Sequence, residues 1–160
     1  MHPDSTPKYE VAVELLDWAL QAFLSGTGHY AALHLAGAAE EVLAVYLRAP
    51  EHKLTPAAES FASLFLHLSS PASQQEAAQL TKWVVDRMNE PRNSVKHKQG
   101  HSDHAVTFDA EEEADDAIDR AISNYTQLLG KLPLRHLPSI GTFDQARRAK
   151  RSNQRGGDVQ

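Results

Sequence analysis

Apolar residues recur at spacings of three and four along most of the first 130 residues. Between Lys8 and Leu24 two interleaved series carry the spacing: Val11, Leu15, Trp18, Ala22 and Leu16, Leu20, Phe23. A 3.6-residue turn returns such positions to one face, so the pattern predicts a helix over about 8–24. Ser25-Gly26-Thr27-Gly28 ends it, because glycine tolerates the left-handed backbone that follows a helix. His29 to Leu47 is small or apolar around nearly its whole circumference, which predicts a centrally buried helix. Ala36, Gly37 and Ala38 would let a neighbour approach closely, and Ala49-Pro50 stops the segment.

Thr55-Pro56 opens a third, shorter helix over 56–69, with Thr55 as a cap and Pro56 in the first turn. Its apolar positions Phe61, Leu64, Phe65 and Leu68 are expected to be buried. A fourth helix starts near Ser73, carries Ala77, Leu80, Trp83, Val84, Val85 and Met88, and meets Pro91 just after Asn89. Proline lacks a backbone donor and crowds the preceding turn, so a kink or a stop and restart is expected there. Residues 98–108 read as a loop, with an extended end at Ala105 to Phe108. Asp109 caps a last strong helix over about 110–130, whose first turns hold Glu111, Glu112 and Glu113 and suit the helix dipole. Gly130 ends it. The pattern predicts an all-α antiparallel bundle of four main helices plus one short one over residues 1–130. Residues 1–7 form a loose lead. Residues 131–160 read as a basic, Pro/Gly-containing tail whose last dozen residues are disordered.

Composition narrows the picture. The chain has 160 residues, 41% of them hydrophobic, enough for one domain with a core. Cysteine is absent, which excludes disulfides and thiolate metal sites. Met1 to Pro7 lacks the basic start and apolar run of a signal peptide, and no stretch reaches the roughly 18 apolar residues of a membrane span. A cytoplasmic protein with no membrane contact is expected. Residues 131–160 hold seven Lys/Arg against Asp144 and Asp158, a balance of +5. The whole chain carries −5, which leaves −10 for residues 1–130. An acidic body argues against a broad duplex-binding surface but leaves room for a local basic site.

The chemistry concentrates in Arg92-Asn93-Ser94-Val95-Lys96-His97. Histidine titrates near neutral pH and suits proton transfer. Arginine stays charged and offers a fork to phosphate oxygens. If the helix restarts at Pro91, the free N–H groups of its first turn would favour an anion beside Arg92 and Asn93. On one helix Asn93 and His97 share a face, and Arg92 and Lys96 share the adjoining one. The set could cleave RNA without a metal: a base takes the ribose 2′-OH proton while a cation neutralises the phosphate. On spacing alone a plainer arrangement is favoured, because Arg and His at short separation are common: Arg92 pairs with an acidic neighbour, Asn93 caps the restarted helix and His97 sits in solvent.

Elsewhere the residue types suggest less. His97, His101, Asp103 and His104 have a spacing that zinc could use, although a metal-bound His97 could not act as a base. His34 reads as a hydrogen-bonded core histidine, and Glu111 to Asp119 as a solvated acidic helix face. Trp18, Trp83, Phe61 and Phe65 lie on apolar stripes and read as core.

The hexapeptide resembles the signature of HEPN domains, an arginine and a polar residue followed a few positions later by histidine. Ala38-Ala39-Glu40-Glu41-Val42-Leu43 is similar to the small-residue, Glu-containing central helix of such domains, and the likeness extends over roughly residues 8–130. The resemblance implies a compact helical homodimer in which two motifs face each other across the interface. It implies metal-independent endoribonuclease activity without cofactors, often in toxins or defence components that have an antitoxin or nucleotidyltransferase partner. It also allows a non-catalytic module that binds nucleotide, RNA or a protein. By that likeness Arg92 stabilises the phosphate, His97 is the general acid/base and Asn93 supports them. Lys96 and Lys98 lie outside the signature, and their positions suggest phosphate contacts.

Overall fold

The computed structural model describes residues 5–98 and 100–157. Residues 1–4 of the expected lead and 158–160 of the expected tail lie outside the described residues. Six helices occur among the described residues: α1 Lys8–Leu24, α2 His29–Arg48, α3 Ala57–Ser69, α4 Gln74–Lys96, α5 Ala110–Leu128 and α6 Pro138–Gly157. The β-type pairing among them is an isolated bridge between Leu129 and Leu132. None of the helices is long and apolar enough to cross a membrane.

The central element is α2, which packs chiefly on α1 and α5 and more lightly on α4. The core draws Leu16 and Leu20 from α1, Leu33, Leu43 and Leu47 from α2, and Ile118 and Leu128 from α5. Of the two series on α1, the one with Leu16 and Leu20 turns inward, while Val11 and Trp18 face solvent. Asp109 caps α5 as expected, its Oδ1 accepting from the Glu111 and Glu112 N–H groups at 2.9 and 3.1 Å. Ser73 caps α4 by accepting from the Glu76 N–H. Thr55 does not cap α3. The Ala57 N–H instead reaches Oδ1 of Asn124 on α5 at 2.8 Å, and Asn124 Nδ2 donates to the Glu40 carbonyl. A fully buried amide thereby joins α2, α3 and α5 with its polar groups satisfied. Beside it Glu40 takes a hydrogen bond from Arg120 at 3.0 Å, a largely buried ion pair.

Besides the Thr55 cap and Trp18, which reads as core and is exposed, three further expectations need correction. The third helix does not bury its apolar stripe: only Ala62 of α3 is buried, and Phe61, Leu64 and Leu68 are 52%, 56% and 74% exposed. Trp83 of α4 is exposed beside them, with its ring 6.2 Å from that of half-buried Phe65. Periodicity shows that an apolar face exists, and the core formed by α1, α2 and α5 leaves this one outside.

The tail is the second. Residues 138–157 form α6, and Leu137 and Phe143 are buried in the core. Helix α6 reaches well into the expected disordered dozen. The acidic face of α5 is the third, and only in part: Glu112, Asp116 and Asp119 are exposed as expected, while cations of α6 pair with Glu111, Asp115 and Asp119. Arg147 pairs with Asp115 at 2.8 Å and with Asp119 at 2.5 Å, and Lys150 pairs with Glu111 at 2.6 Å. Burial pushes the Asp115 carboxyl above its usual value although Arg147 opposes it. Asp17 of α1 fastens the other end, accepting from Ser139 at 2.6 Å and Arg135 at 3.0 Å. Burial alone would raise Asp17, but these bonds outweigh it and hold the carboxyl below its usual value.

A docked α6 has a measurable consequence. Phe143→Ala removes a fully buried ring and is expected to lower the unfolding free energy by about 3–5 kcal/mol. Urea denaturation followed by circular dichroism measures it. A free tail would give no change.

Candidate functional site

Helix α4 runs unbroken through Pro91, which is buried within it. Proline's own φ is helical; what α4 loses is the bond that the Arg87 carbonyl would have accepted, together with crowding of the ring against that turn. Packing of Val84, Pro91 and half-buried Val95 holds the rest. The expected fresh helix start beside Arg92 therefore does not exist. The motif lies instead in the last two turns, at the negative end of the helix dipole, which favours cations over anions. Lys96 occupies the final turn. A phosphate here would have to be held by side chains.

Arg92 leaves α4 toward α2. Its Nη1 donates to the Gly37 carbonyl at 3.0 Å and stands 3.4 Å from Oε2 of Glu41. The approach depends on glycine: a Cβ at position 37 would stand 2.2 Å from Arg92 Cδ. Gly37 thus supplies the close contact foreseen from the small-residue run, and the neighbour is an arginine stem. Glu40 and Glu41, adjacent in sequence, face opposite ways, one to buried Arg120 and the other to Arg92. Glu41 is 69% exposed, so its attraction for Arg92 is weak and screened.

Arg92, Asn93 and His97 open onto one groove of about 610 Å³. His97 ends α4 in an extended conformation, its N–H donating to the Asn93 carbonyl at 3.0 Å. Asn93 does not cap a restarted helix, since none begins there. The sequence reading missed the groove's carboxylates: Asp86, Glu90 and Asp103 also line it. Lys82 pairs with Asp86 and Arg87 with Glu90, which offsets two of those charges locally. Lys96 does not line this groove. Lys98 lines an adjacent one of about 590 Å³ and lies 3.3 Å from Nδ1 of His104. The two grooves share Ser94, His97 and Asp103.

Among the described residues no three His, Asp or Glu side chains converge as metal ligands would, so the set His97, His101, Asp103, His104 is not assembled. His34 is half-buried, and its Nδ1 is buried without the hydrogen-bond partner that a satisfied core histidine would have.

Comparison with known proteins adds no relative. No protein-family model matches the chain, and neither a curated protein nor a solved structure matches it.

The contact at Gly37 can be tested by coupling. Alanine in place of glycine should favour an exposed helix interior by up to about 1 kcal/mol. In the wild-type background Gly37→Ala is expected to show none of that gain, because the methyl group displaces Arg92. In an Arg92→Ala background the gain should reappear. Urea unfolding of the four proteins gives the cycle, and equal effects in both backgrounds would show that the two residues do not touch.

Proposed function

We propose that this chain is a HEPN-type, metal-independent endoribonuclease that works as a homodimer. The observation that carries the reading is that Arg92, Asn93 and His97 open together onto one groove. In this scheme neutral His97 takes the proton from a ribose 2′-OH. The 2′ oxygen attacks the adjacent phosphorus, and the bond from phosphorus to the 5′ oxygen breaks. A second, protonated His97, contributed by the other copy, gives its proton to the leaving 5′ oxygen. The products are a 2′,3′-cyclic phosphate and a 5′-hydroxyl. Arg92 exchanges its long contact with Glu41 for the phosphate oxygens. Its hydrogen bond to Gly37 uses one of five N–H donors and leaves the fork available. Asn93 supports the phosphate from the groove wall, and Lys96, outside the groove, adds positive charge for RNA beyond it.

The dimer reading is supported by the outward face of α3 and α4. Phe61, Leu64, Leu68 and Trp83 are each more than half exposed. The one carboxylate of α3, Glu59, is paired with Arg48. A face with so little free charge suits an equally uncharged helical face, and a second copy offers one. Trp83, Glu90 and His97 recur every seven residues on α4, so that face leads to the motif. On this reading the bundle is HEPN-like, the protein works in the cytoplasm as a toxin or defence component, and an antitoxin or nucleotidyltransferase is its partner.

A second reading is a non-catalytic HEPN-like module that binds nucleotide, RNA or a protein through the same groove. The engagement of Arg92 by Gly37 and Glu41 favours it, since that arrangement already gives the arginine a structural role.

Incubation with total RNA in excess chelator separates the two. Wild type is expected to cleave, with Arg92→Ala and His97→Ala each slowed by at least about 100-fold. The double variant Leu64→Asp/Leu68→Asp should fold, run as a monomer in light scattering and lose cleavage. RNA left intact by a wild-type dimer would favour the binding module.

A further inference from the structure

We infer that the groove on the far side of His97 from Arg92 is a nucleobase subsite, formed around Tyr30, that takes an unpaired base of single-stranded RNA. This rests on the RNA-cleaving reading above and adds to it where the base of the reacting nucleotide lies.

The two grooves meet at Ser94, His97 and Asp103 but differ in lining. The Arg92 side is polar, with Asn89, Asn93 and the paired carboxylates. The other side has Tyr30, Val95, Ala105 and Val106, with Lys98 and His104 at its margin. A nucleotide has the same division. Its phosphate is charged, its base is a flat aromatic ring, and the ribose stands between them. His97 stands between the two linings, where a ribose 2′-OH would lie if the phosphate met Arg92 and the base met Tyr30.

Tyr30 has the properties of a stacking platform. It stands in the first turn of α2, so its backbone is fixed by the central helix of the bundle. It is 48% exposed, unusual for a large ring on that helix. Phe108 holds it edge to face, with centroids 6.2 Å apart and planes at 70°. That contact restrains the tyrosine while leaving ring surface accessible. Aromatic stacking accepts any base, because every base has a π face. Lys98 adds a cation for a flanking phosphate.

Binding separates this subsite from catalysis. The probes are two fluorescein-labelled octamers with uncleavable 2′-O-methyl riboses, one of adenosines and one with the same backbone and abasic internal residues. Anisotropy titrations are run in chelator at fixed salt. Wild type is expected to bind the adenosine octamer about tenfold more tightly than the abasic one. Tyr30→Phe should preserve that ratio. Tyr30→Leu should abolish it while leaving abasic binding unchanged, which also shows that the variant is folded. Equal binding of the two octamers by wild type, or an unchanged ratio in Tyr30→Leu, would overturn the subsite and leave the ribonuclease reading standing. No binding of either octamer by wild type would overturn both.

Discussion

The structure turns on a missing side chain. Gly37 leaves a gap on α2 into which the stem of Arg92 settles, and its carbonyl holds the guanidinium. That contact lets α4 lie against the central helix and aims the arginine along the groove. The backbone bond lost at Pro91 is set against the burial of Val84, Pro91 and half-buried Val95, and α4 continues to Lys96. A restarted helix would have provided an anion site from backbone N–H groups. The unbroken helix provides carbonyls instead, and any phosphate must be held by Arg92 and neighbouring side chains.

The two glutamates after that glycine divide the work of the bundle. Glu40 faces inward, where Arg120 and Asn124 complete a buried polar cluster that ties α2 to α5 and starts α3. Such a cluster specifies one arrangement of helices, because any other leaves buried groups unpaired. Glu41 faces outward and meets Arg92 loosely. The rigid part of the molecule thus lies immediately behind the groove, and the exchangeable contact lies within it.

How much of this was legible depended on whether the cause was local. The bounds of α1, α2 and α5 follow from apolar period and end signals, and the Asp109 cap was readable directly. Helix α6 was hidden by Pro138, Gly141 and its charges. Its signal was the series Leu137, Ile140, Phe143, and Arg147 is matched to Asp115 and Asp119 on α5, more than 25 residues away. Asn124 capping α3 is likewise a tertiary event, between partners 67 positions apart. Phe61, Leu64 and Leu68 were readable as a stripe but not as an outward one, since period carries no information about which side the core occupies. For the site, the sequence brought out Arg92, Asn93 and His97 but not Gly37 and Glu41 as the arginine's partners. Tyr30 stands more than 60 residues before His97, with no spacing to link them.

Arg92 and His97 line one groove within a single chain, yet the proposed chemistry needs a second His97 from the other copy. Pairing a wild-type chain with a His97→Ala chain in one dimer tests that directly. Only one of the two histidines is then left. Differently tagged copies, co-expressed and purified as the mixed dimer, are assayed on RNA in chelator. If every site needs both histidines, the mixed dimer is expected to be as inactive as the His97→Ala homodimer. About half the wild-type rate would contradict a site shared between chains.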